Sequence, residues 1–144
     1  MQNEMRLTLW SFSVNESFAR AAVSSFVSQL DPTVEDLGDL KTAVSEAVTN
    51  CILHAYPGKK GKIYITVRLS EDGKATVKVR DKGCGIEDVQ KAMEPLYTTG
   101  GEERAGLGFA VMESFTDKLR VRSTLGKGTV VTLEKQMTGK GATQ

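Results

Sequence analysis

Along the chain the spacing of apolar residues switches between every second position and every third or fourth, and each switch predicts an element. Residues 5–12 alternate (Met-Arg-Leu-Thr-Leu-Trp-Ser-Phe) and predict a strand facing inward through Leu7, Leu9 or Trp10, and Phe12. Helical spacing follows from about Glu16 to Leu30, with Phe18, Ala21, Ala22, Phe26, Val27 and Leu30 as the apolar face and Ser13 and Asn15 as N-cap chemistry. Asp31-Pro32-Thr33 stops that helix, because the residue before a proline avoids the helical region. Thr33, with Asp36 three residues on, then caps a second helix running to about Ala55, where Tyr56-Pro57-Gly58 ends it. Gly38 inside that helix costs roughly 1 kcal/mol against alanine, which a helix of this length tolerates.

Two hairpins follow the same logic. Strands at 62–69 and 75–80 flank Glu71-Asp72-Gly73, and strands at 118–124 and 129–134 flank Gly126-Lys127-Gly128. Between the hairpins lie a short helix at 88–93, a polar turn-rich segment at 95–105, and a helix opening at Gly106 and ending near Phe115 or Thr116. The 95–105 segment has no period and reads as a mobile loop that closes on a ligand. From Thr138 the chain is small and polar, as a frayed end is. The order βααββ, loop, αββ predicts one domain over 1–144, ordered from about 5 to 136. Its class is α+β, a two-layer sandwich with helices on one face of a mixed, mostly antiparallel sheet.

Composition narrows the partners more than the fold. At 144 residues, 40% apolar and 26% charged, the chain suits one soluble core. Nineteen basic against eighteen acidic side chains leave a formal charge of +1, so no global field argues for nucleic acid or an anionic membrane. Two cysteines and one histidine argue against a disulfide framework and a structural zinc site. No apolar run approaches membrane-spanning length and Met-Gln-Asn-Glu-Met-Arg is no signal peptide, so the cytoplasm is the expected compartment.

Candidate chemistry gathers on the second helix. Glu46, Asn50 and His54 stand at i, i+4 and i+8 and form a polar edge beside a stripe of Leu40, Ala43, Val44, Ala47, Val48, Cys51, Ile52 and Ala55. Alone, Glu46 and Asn50 read as a helix-surface pair and His54 as a packing residue. Asp81-Lys82-Gly83-Cys84-Gly85 then ends a strand where glycine lets backbone approach a ligand; a tight turn with an exposed aspartate explains it as well. Gly106-Leu107-Gly108 at a helix start presents backbone N–H groups to phosphate, or merely supplies flexibility. Together with Thr98, Thr99 and Arg104 these segments fit a triphosphate, with Arg104 placed to neutralise charge developing on the γ-phosphate. In that setting Asn50 offers Mg2+ an uncharged oxygen and Glu46 accepts a proton from an attacking hydroxyl.

In this order, Glu46-x-x-x-Asn50, Asp81-x-Gly83-x-Gly85 and Gly106-x-Gly108 resemble the N, G1 and G2 boxes of the GHKL ATPase/kinase superfamily. Asn15-Glu16-Ser17-Phe18-Ala19-Arg20, Gln29-Leu30-Asp31-Pro32-Thr33 and Pro95-Leu96-Tyr97-Thr98-Thr99 extend the likeness over nearly the whole chain, to the small serine-kinase anti-sigma factors of the sporulation branch. The resemblance implies a Bergerat ATP-binding fold, ATP and Mg2+ as ligands, and a homodimer that holds sporulation sigma factor F. It also implies phosphorylation of a serine on an anti-anti-sigma protein, with no direct contact to nucleic acid or membrane. Carried over, Glu46 would be the general base and Asn50 the Mg2+ ligand, while Asp81 would read adenine. Gly83, Gly85, Thr98, Thr99, Gly106, Leu107 and Gly108 would contact nucleotide, Arg104 would be the lid arginine, and Arg20 would dock partners. A general-stress kinase of the same subfamily and a nucleotide-binding module that sequesters a sigma factor without phosphoryl transfer remain alternatives; an ATP hydrolase of the gyrase or chaperone type ranks last.

Overall fold

On Lys62–Leu69 and Lys74–Asp81 every second side chain leaves solvent: Ile63, Ile65, Val67 and Leu69 on the first strand, Ala75, Val77 and Val79 on the second. This is the pattern of a sheet with one face packed and one face wet. The structure, a computed structural model, describes residues 2–93 and 108–137. The 95–105 loop with Thr98, Thr99 and Arg104, then Gly106 and Leu107, and the tail from Thr138 lie outside the described residues.

Five strands, β1 (Asn3–Trp10), β2 (Lys62–Leu69), β3 (Lys74–Asp81), β4 (Lys118–Thr124) and β5 (Gly128–Gln136), form one sheet in the order β1-β2-β3-β5-β4. Every neighbouring pair is antiparallel, so among the described residues the sheet is not mixed. Tight hairpins join β2 to β3 and β4 to β5, while β1–β2 and β3–β5 pair across long connections that carry the helices. On the packed face lie α1 (Asn15–Val27), α2 (Val34–Asn50) and α4 (Phe109–Ser114), with the single-turn α3 (Val89–Ala92) beside β4. The helical layer and the inner sheet face share one core, in which Leu40, Val44 and Val48 of α2 are packed with Ile63, Ile65, Val77 and Leu133.

The ends of α2 follow from local chemistry. The Thr33 hydroxyl accepts the Asp36 N–H at 3.1 Å, the cap that the spacing predicts. At the other end the helix loosens into a π turn over Cys51–Ala55 before Tyr56 breaks it. Two inward faces differ from the sequence reading. α1 buries Ala19, Val23 and Val27, while Phe18 is 55% exposed and Ala21 faces solvent. The close approach of α1 to α2 favours small and β-branched residues at the contact and turns the Phe18 ring out. On β1, Leu9 rather than Trp10 points inward, and Trp10 and Phe12 are each half exposed.

Two glycines should respond to alanine with opposite sign. A Cβ on Gly38 meets nothing within 4 Å, so Gly38→Ala should stabilise by about 0.5–1 kcal/mol through helix propensity. Gly128 sits at φ +128°, where a Cβ would lie 2.2 Å from the Asp81 carbonyl oxygen. Gly128→Ala should therefore cost about 2 kcal/mol or more. Urea midpoints at constant m-value separate the two.

Candidate active site

Strand β3 ends on Asp81, and the next residues pass through a narrow slot between the C-terminal turn of α2 and the β4–β5 hairpin. The carbonyl of Ala55 is one of the last four of the helix and has no intrahelical donor; it accepts the Cys84 N–H at 2.8 Å. On the other side the Cys84 carbonyl accepts the Gly126 N–H at 2.7 Å. A Cβ on Gly83 would lie 2.1 Å from the Ala55 oxygen, and one on Gly85, at φ +77°, would lie 2.4 Å from the Thr124 oxygen. Both glycines are thus required by protein packing. The Ser123 hydroxyl accepts the Ile86 N–H at 2.7 Å and lies 2.8 Å from the Thr129 hydroxyl, tying the loop to β4 and β5. Tyr56 adds a bridge, its hydroxyl donating to the Lys62 carbonyl at 2.6 Å and accepting the Lys82 N–H at 2.8 Å.

This clamp fixes the Asp81 carboxylate, which is 7% exposed. Its Oδ1 accepts the Gly83 N–H at 2.9 Å and its Oδ2 accepts the Cys51 thiol at 3.5 Å. Burial, then the charge of Asp81, then this hydrogen bond push the Cys51 thiol well above its ordinary value of 9.0, so it stays protonated and donating. Asp81 and buried Asn50 face one small cavity, closed by Ala47, Phe109 and Thr129 and flanked by His54 and Gly85. His54 is on the π turn; among the described residues its buried Nε2 has no hydrogen-bond partner, and its carbonyl accepts the Cys84 thiol at 3.3 Å.

One turn N-terminal to Asn50, half-buried Glu46 meets the start of α4. Gly108 has φ +61°, and a Cβ there would lie 2.8 Å from Glu46 Oε2. The bare backbone of Gly108 therefore packs against the carboxylate, and burial raises the Glu46 pKa above its ordinary 4.5. Glu46 also borders an open groove of about 640 Å3 between α1 and α2, shared with Thr49, Ser45 and Arg20. In that groove Arg20 Nη1 lies 3.5 Å from both Glu16 Oε2 and the Ser45 hydroxyl, which donates to the same carboxylate.

The structure thus brings together Glu46, Asn50, Asp81, Gly83, Gly85 and Gly108 from segments far apart in sequence. Arg20 stands apart, across the groove. The sequence reading missed Cys51 and Thr129 as polar partners of the Asp81 region, and missed Tyr56 as a clamp. A polar atom at alternate positions of an otherwise apolar strand, as at Thr129, is a usable signal; a thiol within an apolar stripe is not.

Residues 13–135 match the family described as Histidine kinase-like ATPase domain, which agrees with the fold and with the glycine loops around α2. Solved structures with the same fold include the RsbU and RsbW domains of Rv1364c from Mycobacterium tuberculosis (TM-score 0.68, 21% identity, 94% of this chain and 32% of that one). Another is the histidine kinase domain from Erythrobacter litoralis EL346 (TM-score 0.58, 20% identity, 85% and 61%). At the level of sequence the likeness is much closer. The Anti-sigma F factor of Caldanaerobacter subterraneus subsp. tengcongensis is 58% identical over 134 residues, 92% of this chain and 93% of that protein. That of Priestia megaterium is 49% identical over 144 residues, 99% and 98%. The chain belongs to the anti-sigma F factor family, within the histidine kinase-like ATPase class.

The raised Glu46 pKa gives a stability prediction whose sign is fixed. A carboxyl whose folded pKa exceeds its unfolded one stabilises the fold while protonated, and that contribution is lost as pH rises through the folded value. Glu46→Gln, a mimic of the protonated acid, should melt above wild type at about pH 7.5, and the difference should vanish near about pH 4. Equal melting temperatures at the higher pH would show that burial imposes no strain on this group.

Proposed function

We propose that the chain is an ATP-dependent protein serine kinase that is also an anti-sigma factor. In this reading it holds sporulation sigma factor F as a homodimer in the cytoplasm, and it phosphorylates a serine on the anti-anti-sigma protein that competes for it. The observation that carries the kinase reading is the placement of Glu46. Its carboxylate packs against the backbone of Gly108 and borders the open groove that Arg20 also lines, one helical turn from Asn50 in the cavity of Asp81. A protein hydroxyl entering the groove meets the carboxylate where a nucleotide anchored through Asp81 directs its phosphates.

The chemistry follows from those positions. Asp81 accepts a hydrogen bond from the exocyclic amine of adenine, with its own oxygens held by Gly83 and Cys51. Glu46 takes the proton of the serine hydroxyl as that oxygen bonds to the γ-phosphorus and the bond to the β-phosphate oxygen breaks, releasing ADP. A raised pKa suits this role, because a carboxylate with a higher pKa is a stronger base at the pH where it is ionised. Among the described residues no group of three or more acidic, histidine or cysteine side chains forms a metal cage. That fits Mg2+, which takes most of its ligands from water and phosphate and needs little more here than the neutral Asn50 oxygen. When bound, the ion neutralises charge on the phosphates. In this reading Arg20, which also lines the groove, docks the acidic surface of a protein partner. No helix among the described residues is long and apolar enough to cross a membrane.

Incubation with ATP, Mg2+ and the cognate anti-anti-sigma protein should yield phosphoserine on that protein, read by mass spectrometry. Glu46→Gln should slow transfer by about 10²–10⁴-fold with ATP affinity nearly unchanged. Asp81→Asn should lose ATP affinity itself. ATP binding without any transfer by the wild-type chain would favour the sequestering module instead.

A further inference from the structure

The formal charge of +1 hides a strong separation of charge between the two faces of the sheet. Register sets the outer rows: Tyr64, Arg80, Val130 and Arg122 lie side by side, as do Thr66, Lys78, Thr132 and Arg120 in the next row. Lys78 and Arg80 with Lys82 therefore form one rail of cations, and Arg120 and Arg122 with Lys127 in the hairpin turn form another. All six are exposed, and among the described residues none is ion-paired. Between the rails runs β5, whose outward Val130 and largely covered Thr132 make a neutral floor. At one end the trough opens into a depression of about 440 Å3 lined by Arg80, Lys82, Arg122 and Lys127. At the other it stops at Glu134, already held by Lys74 at 3.6 Å.

The dimensions select an occupant. One intervening strand puts the rails about 10 Å apart, and alternate residues along a rail are about 7 Å apart. An α-helix is about 10–12 Å across with its side chains, so one turn after another fits along the strands with acidic side chains reaching both rails. A single-stranded nucleic acid fits less well, since it gains affinity by stacking bases on bare aromatic faces. Here Tyr64 is covered by Arg80 at 5.2 Å and Lys82 at 5.1 Å, and Trp10 by Lys62 at 5.5 Å. Tyr64 is thus occupied by its cations, and half-exposed Trp10 lies on the edge strand β1, two strands away from the nearer rail.

We propose that the outer face of the sheet docks an acidic helical segment of a partner protein, lying along β5 between the two cationic rails. The surface is on the opposite side of the sheet from the helical layer and does not depend on the kinase reading. Two fluorescein-labelled probes test it by anisotropy on the full chain. One is a lactam-bridged helical peptide of about 14 residues with glutamates on both flanks and alanines between; the other is oligothymidine of about 20 nucleotides. The peptide should bind saturably and weaken several-fold between about 50 and about 300 mM NaCl. Arg80→Glu with Arg122→Glu should weaken it about tenfold or more, whereas Lys41→Glu with Lys59→Glu should stay within about twofold of wild type. In wild type, amide shifts on adding peptide should fall on β3, β4 and β5, a readout that holds even if the charge-reversed chain folds poorly. No saturable binding, shifts on α1 and α2 instead, equal loss in both variants, or tighter binding of oligothymidine would each overturn the proposal.

Discussion

The site depends on one close contact of backbone with backbone. The loop after β3 passes so near the Ala55 carbonyl at the end of the π turn and the Thr124 carbonyl of the hairpin that neither Gly83 nor Gly85 has room for a Cβ. The contact satisfies the Ala55 carbonyl, which would otherwise be an unpaired acceptor at a helix end, a loss of about 1–3 kcal/mol if buried. It also sets the geometry of the candidate site. Because the loop is held on both sides, the Gly83 N–H is presented to Asp81, and Asp81 is held in the cavity with Asn50. The π turn at Cys51–Ala55 belongs to the same contact, since it places the Ala55 carbonyl opposite the Cys84 N–H.

A second constraint runs against stability. Glu46 is partly withdrawn from water, and no basic side chain among the described residues forms an ion pair with it. Its pKa rises through burial alone. A purely structural helix would carry a neutral residue at this position. A carboxyl perturbed by burial beside a cavity is the kind of group that functional sites collect, and Gly108 is bare next to it: any larger residue would push into the carboxylate.

Much of this was legible in the sequence, for reasons that differ by element. The Thr33 cap, the length of α2 and both hairpins were readable because local chemistry sets them. Glu46 and Asn50 became readable only with the two glycine segments that follow them, and their meeting with Asp81 and Gly108 is what the fold supplies. Other features have no local signature. The π turn leaves no mark in composition, and Cys51 looked like one more apolar residue of the stripe. The face of α1 was partly readable: Phe26, Val27 and Leu30 meet the core as the spacing predicts, while Ala19 and Val23 rather than Phe18 complete the contact, where close helix packing rewards smaller side chains. On β1, an edge strand only partly covered, alternation could not separate Leu9 from Trp10. Gly83 and Gly85 looked like room for a ligand; each is also room for protein backbone.

Overall charge was the least informative quantity. The acids cluster on the helical side, where Glu35 and Asp36 complement the N-terminus of α2 and Asp36 and Asp39 draw in Lys135. The bases concentrate on the open face of the sheet, where period-two alternation puts every second residue in water. A strand of this kind needs polar outward residues for solubility, and any mixture of charges would serve. Rails of one sign flanking a neutral strand are not such a mixture. They bring like charges to adjacent rows, which is unfavourable by itself. Cation–π contacts of Arg80 and Lys82 with Tyr64 offset part of that repulsion. An opposite charge laid between the rails would offset the rest.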